Sequence, residues 1–159
     1  MDNGTQSELD ELDWRILQEL QLDARLSYSE LGRRVSLSQP AVAERVRRLE
    51  ATGVIRGYHA DIDPGRVGRP VTVFIRLQTT NMTRLESVIT TIPEVSEAHR
   101  VTGDDCAYLK LHLGAISDLG QILEQLSNYA RSSTSVVIST FIERPVQLRG
   151  SKSGGRTGG

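Results

Sequence analysis

Arg33, Arg34, Arg45, Arg47 and Arg48 crowd into one stretch in the first half of the chain. A guanidinium stays charged and carries a planar fork of donors, which suits phosphate oxygens and the O6/N7 edge of guanine. Attracting a polyanion takes a local basic face rather than a basic total, and the total here is -1. Acids gather just ahead, at Glu8, Asp10, Glu11 and Asp13, while lysine is confined to Lys110 and Lys152. Other chemistry is sparse. His59, His99 and His112 lack metal-ligand spacing, and the single cysteine, Cys106, excludes an internal disulfide framework. No Ser-His-Asp set, metal cluster or phosphate-cradling loop is present, so neither an enzyme nor a cofactor is expected.

The arginines matter only if some element turns them outward. Residues 9–21 place Leu12, Ile16, Leu17 and Leu20 at helical spacing, with Glu11, Arg15, Gln18 and Glu19 opposite. Such an amphipathic helix needs partners. A second helix opens at Ser27-Tyr28-Ser29-Glu30, the spacing of a capping box, and turns Leu31 and Val35 to one side. After Ser36-Leu37-Ser38 comes a third helix over residues 39–52. Ser38 is its N-cap, Pro40 sits where a missing donor is harmless, and Gly53 ends it. Two short helices joined so tightly form a helix-turn-helix.

On a wheel of about 100° per residue, Val42, Val46 and Leu49 of the third helix face inward. Ala41, Glu44, Arg45 and Arg48 lie opposite, with Ser38 and Gln39 at the start. Small groups followed by arginines suit the major groove of double-stranded DNA. Ser38, Gln39, Ala41, Glu44, Arg45 and Arg48 are therefore expected to face the bases, and Arg33 and Arg34 the phosphates. A merely solvated face would show the same arginines; the capped helix and turn ahead of them favour DNA.

Residues 54–62 read as a strand trailing this unit, with Gly57 allowing a bend. Asp63-Pro64-Gly65 begins a hinge that runs to Pro70. Beyond it, strand and helix alternate. Val71, Val73, Ile75 and Leu77 share one face of a strand, and Leu85, Val88, Ile89 and Ile92 give a helix that stops before Pro93. Residues 95–101 and 106–113 are strands around a turn over 102–105. A helix over 116–129 turns Leu119, Ile122, Leu123 and Leu126 inward, and 135–142 is the last strand. The order is β-α-β-β-α-β, the ferredoxin-like motif. Its sheet is covered on one face only, and a bare apolar face seeks a partner, so a dimer is expected.

The fold class is thus α+β, an N-terminal winged-helix-like helix-turn-helix domain (1–62) joined through a hinge (63–70) to a ferredoxin-like regulatory domain (71–145). Residues 146–159 read as a disordered tail of Gly, Ser, Arg and Lys. Hydrophobic content of 38% and charged content of 25% fit a soluble protein. Nothing approaches the roughly 20 apolar residues of a membrane span, and the polar start lacks a signal-peptide core. The expected compartment is the cytoplasm, in association with the nucleoid.

In its motifs the chain resembles the leucine-responsive regulator/asparagine regulator (Lrp/AsnC, or feast/famine) family of transcriptional regulators. The first unit is similar through Leu12-Asp13, Arg25-Leu26-Ser27, Glu30-Leu31, Leu37-Ser38, Val42, Glu44-Arg45-Val46, Arg48-Leu49-Glu50, Gly53-Val54-Ile55 and Gly57-Tyr58. The second is similar through Ile92-Pro93-Glu94-Val95, Val101-Thr102-Gly103-Asp104, Tyr108-Leu109-Lys110 and Val136-Val137. The match runs from about residue 9 to 146 with order and spacing kept. The resemblance implies dimers formed through the sheet and further assembly, often to octamers. It also implies an amino-acid effector bound near the Gly103-Asp104 turn and the last strand. Thr102, Gly103, Asp104, Asp105, Cys106, Thr134, Ser135 and Val136 would line that site. Backbone N–H groups at such a turn suit a carboxylate, and an aspartate suits an ammonium.

One departure stands out. The family often reads Gly-Asp-x-Asp, whereas this chain has Gly103-Asp104-Asp105-Cys106, with a thiol at the second carboxylate position. A different effector, a pocket using Asp105, or no effector would each fit. The competing reading is an oligomeric amino-acid-binding module without specific DNA recognition.

Overall fold

The computed structural model describes residues 9–148. They form two compact units, one of residues 9–60 together with 143–148 and the other Asp61–Ile142. The first holds three helices: α1 (Glu11–Leu22), α2 (Tyr28–Val35) and α3 (Gln39–Ala51). Their core is small, built from Ile16, Leu17, Leu31, Val35, Val42, Val46 and Leu49. Each helix begins where a side chain can take up orphan amide donors. Ser27 Oγ accepts from Glu30 N at 3.1 Å, and Ser38 Oγ accepts from Ala41 N at 3.4 Å. The expected capping box at Ser27 is only half formed, because the Glu30 carboxylate turns to Arg33 and Arg34 instead. A full box caps α1, where Asp10 and Asp13 exchange backbone-to-carboxylate bonds.

Residues 54–62 do not form the expected strand, and the described part of this unit contains no strand at all. The apolar side chains that suggested one remain largely outside the core: Val54, Tyr58 and Ile62 are exposed, and only Ile55 packs inward. A lone extended segment without a ladder is no strand. Residues 146–148 also depart from expectation. Val146 O accepts from Gln21 Nε2 at 3.0 Å, and Leu148 packs against the three-helix core. The rest of the expected tail, 149–159, lies outside the described residues, as does the polar start with Glu8.

In the second unit a four-stranded antiparallel sheet has the order β2-β3-β1-β4, with β1 at Val71–Gln78, β2 at Val95–Arg100, β3 at Ala107–Leu113 and β4 at Arg131–Val136. Helices α4 (Met82–Ile89) and α5 (Asp118–Ser127) complete the β-α-β-β-α-β order. The alternation of β1 works as expected. Val73, Ile75 and Leu77 join Leu109, Leu111 and Leu113 under Leu85, Ile89, Ile122 and Leu126. The segment around 63–70 is fastened to this unit: a 3-10 turn covers Pro64–Val67, and the Arg69 guanidinium donates to His112 O at 3.1 Å.

Two expectations about the sheet are corrected. The last strand is Arg131–Val136 rather than 135–142. It is an edge strand exposed along its whole length, so backbone pairing with β1 holds it and no apolar signature marks it. The bare face is also mixed rather than apolar. It carries Thr72, Phe74, Arg76 and Gln78 from β1 with Tyr108, Lys110 and His112 from β3. Exposed apolar surface concentrates instead just past β4, where Ile138 and Phe141 are 99% and 95% exposed.

The link between α2 and α3 is tight. Ser36 closes α2 in the left-handed region at φ 61°, and Leu37 N donates back to Gly32 O at 2.9 Å. A Cβ on Gly32 would meet Leu37 O at 2.6 Å, a backbone atom that cannot swing aside. Gly32→Ala should therefore force the two helices apart and lower stability by about 1–3 kcal/mol. Denaturant unfolding of the full chain checks this, and an unchanged midpoint would show that the turn has slack.

Candidate nucleic-acid interface

The start of α3 lies open. Ser38 and Gln39 are partly or wholly exposed, Ala41 is half-buried, and Glu44 is exposed, while Val42, Ala43, Val46 and Leu49 are buried. Ala43 widens the buried arc toward one side, and Glu44, Arg47 and Arg48 are exposed on the rest of the helix. Arg45 and Arg48 lie on the flank against the start of α1. Arg48 keeps an exposed position, at 46%, while Arg45 is drawn in to 23%.

A buried carboxylate explains the shift. The Asp13 side chain is 1% exposed, and its Oδ1 accepts from Arg45 Nη1 at 2.8 Å and from Arg48 Nη2 at 2.8 Å. Its Oδ2 accepts from Arg48 Nη2 at 2.6 Å and from Asp10 N at 3.1 Å. Arg45 Nη1 also donates to Asp10 Oδ2 at 2.6 Å. Hydrogen bonds from Arg45, then from Asp13 N–H, hold the Asp10 carboxyl below its ordinary value. The same carboxylates push the Arg45 guanidinium up. Charged donors and acceptors this close compensate the burial of Asp13.

The other expected contacts are paired too. Arg33 bridges to Glu30, and Arg34 reaches Glu19 at 2.9 Å and Glu30 at 3.2 Å. Arg47, which the wheel did not single out, meets Glu44 at 3.4 Å one turn back, with both side chains largely exposed. Sequence spacing could have flagged that pair as i, i+3. The bonds to Asp13 span 32 to 35 residues and carry no local signal. Nearby, Tyr58 Oη donates to Glu50 Oε1 at 2.9 Å, and burial, then that bond, push the phenol up to about 12.

The residues expected to hold a small molecule do not converge within one chain. Thr102, Gly103 and Asp104 form an exposed turn in which Gly103 takes φ 111°, a value that favours glycine. Asp105 is already engaged: Gln78 Nε2 donates to it at 3.3 Å, Tyr108 Oη at 3.2 Å, and Arg76 stands 3.7 Å away. Arg76 and Tyr108 are direct partners in the β1–β3 register. Cys106 Sγ is bound to the backbone of Thr79, donating to its O at 3.2 Å and accepting from its N at 3.5 Å. Thr134, Ser135 and Val136 pair with Ile75, Phe74 and Val73, whereas the turn joins β3 beside Leu77. Strand spacing and rise put the two groups on the order of 10–15 Å apart.

Comparison with known proteins bears on both units. Residues 9–50 match the AsnC-type helix-turn-helix domain, and residues 71–147 match the Lrp/AsnC ligand binding domain. The chain belongs to the Lrp/AsnC family of transcriptional regulators. Its HTH-type relative LrpC of Bacillus subtilis is 36% identical over 133 residues, covering 82% of this chain and 92% of the relative. The leucine-responsive regulatory protein of Klebsiella pneumoniae is 35% identical over 140 residues, covering 82% and 85%. The solved structure of Bacillus subtilis LrpC superposes with a TM-score of 0.81 at 34% identity, covering 86% of this chain and 99% of that one. A Neisseria meningitidis transcriptional regulator solved as its L-Met complex superposes at 0.78 with 26% identity, covering 86% and 94%.

The Lrp/AsnC assignment makes the chain a DNA-binding transcriptional regulator rather than an enzyme, with a helix-turn-helix unit and a ligand-binding α+β unit. Among the described residues no helix is long and apolar enough to cross a membrane, and no group of ligands suits a metal ion.

The Tyr58 phenol supplies a pH test of the first unit. Its folded value lies above the ordinary value near 10, so its contribution to stability is intact below about pH 10 and is lost as pH rises through about 12. Ultraviolet titration of the full chain against Tyr58→Phe should show the missing tyrosinate step near pH 12. A missing step near pH 10 would mean that the phenol is free of Glu50 in solution.

Proposed function

We propose that this regulator reads its operators with the exposed start of α3 and responds to an amino acid through its second unit. Ser38, Gln39, Ala41 and Glu44 face the bases, where small groups allow close approach and a carboxylate can accept from cytosine N4. Arg33, Arg34, Arg45 and Arg48 contribute phosphate or guanine contacts by exchanging their present carboxylate partners. The observation that carries the reading is a capped α3 presented beyond a tight turn, with its polar pole uncovered by either neighbouring helix.

A homodimer formed across the mixed sheet face and the apolar residues after β4 would cover Phe74, Tyr108, Ile138 and Phe141, and such dimers assemble further, to an octamer. Self-association of this kind suits the effector as well. Thr102 to Cys106 of one copy and Thr134 to Val136 of another can enclose an amino acid that neither group encloses alone. Because Cys106 and Asp105 already have partners, Asp104 and the backbone of the Gly103 turn are the groups left to hold its ammonium and carboxylate. The complex between the Neisseria relative and L-Met supports an amino-acid effector. The working compartment is the cytoplasm, on the nucleoid.

Selection from a random duplex pool tests the first half of the reading. The full chain should enrich an inverted repeat, since two-fold dimers present two recognition helices. Thermal-shift measurements with each of the twenty amino acids, coupled to light scattering, test the second. One or a few should raise the midpoint, and Asp104→Ala should abolish that rise while leaving the apo midpoint in place. Enrichment of no sequence would contradict the operator reading, and a response to no amino acid would contradict the effector.

A further inference from the structure

Between residues 9 and 60 the chain carries eight arginines and eight carboxylates, so the DNA-binding unit has no net positive charge there. The pairing is specific rather than diffuse. Every arginine expected to touch DNA already contacts a carboxylate, and the two on the α1 flank of α3 share Asp13, with Asp10 as a second partner of Arg45. Attraction to phosphates supplies the sequence-independent part of DNA binding, whereas contacts to base edges supply the sequence-dependent part. Carboxylates that occupy guanidiniums therefore weaken the first and leave alone the base contacts proposed for Ser38, Gln39, Ala41 and Glu44.

We propose that Asp10 and Asp13 are specificity-determining residues. They hold Arg45 and Arg48 in intramolecular pairs that a phosphate must displace, so DNA of unrelated sequence is bound weakly and only base contacts along α3 tip the exchange. The inference rests on the DNA-binding reading above and adds the part played by α1. Asp13 also supports the fold, but Asp10 is separable: its carboxylate is half-exposed, and asparagine is as good an N-cap. Glu11, the next residue, makes no ion pair with an arginine among the described residues and offers a control of equal charge change.

The test is binding of full-length wild type, Asp10→Asn and Glu11→Gln to a mixed-sequence duplex and to a pool-selected operator, each over a salt series. Asp10→Asn should bind the mixed-sequence duplex about 3–10-fold more tightly and steepen its log affinity against log salt by about 0.9, the value of one added phosphate contact. Its preference for the operator should shrink by a similar factor, while Glu11→Gln stays within about twofold of wild type. Equal effects of the two substitutions would reduce the pair to bulk charge, and unchanged or weaker binding by Asp10→Asn would make it purely structural; either overturns the proposal. Wild type that binds neither duplex at low salt would overturn the DNA-binding reading itself.

Discussion

The carboxylate of Asp13 is the group on which the first unit turns. A three-helix core of seven buried apolar residues is small, and apolar packing alone leaves rotation of a helix about its axis loosely specified. Asp13 removes that freedom. Buried at the start of α1, it takes part in the cap of its own helix and accepts from both Arg45 and Arg48 of α3. A buried charge without partners would be costly, and the geometry leaves none of its acceptor capacity idle. The consequence reaches the surface: Arg45 is drawn in to 23% exposure and Arg48, though exposed, is tied to α1, while Glu44 and Arg47 pair only with each other among the described residues.

What the sequence revealed follows the range of the interactions concerned. Ser27 and Ser38 act within three residues, and both helix starts were legible from them. The alternation of Val71 to Gln78 likewise announced β1 and its buried face. The pairing of Arg45 and Arg48 was not legible, because it depends on an acid more than thirty residues away and a helical wheel carries no such partner. The family resemblance, by contrast, was legible from short motifs in order, and both family matches support it.

The sheet shows the same division. Strand β4 was expected too far along, at 135–142, because an edge strand rich in Ser and Thr is held by main-chain bonds to β1, which side-chain patterning does not record. The apolar run after it drew attention instead, and Ile138 and Phe141 prove to be exposed. At the Gly103 turn the glycine was read correctly as a turn residue, whereas the ties of Asp105 to Gln78, Tyr108 and Arg76 depend on strand register. The bonds of Cys106 to the backbone of Thr79 give it a local structural task.

A crystal structure of the full chain with a pool-selected operator duplex tests the central claim most directly. The account predicts α3 in the major groove, with Ser38, Gln39, Ala41 and Glu44 at base edges and Asp13 still joining α1 to α3 through at least one arginine. A complex in which α3 lies against protein while another surface meets the duplex would contradict it.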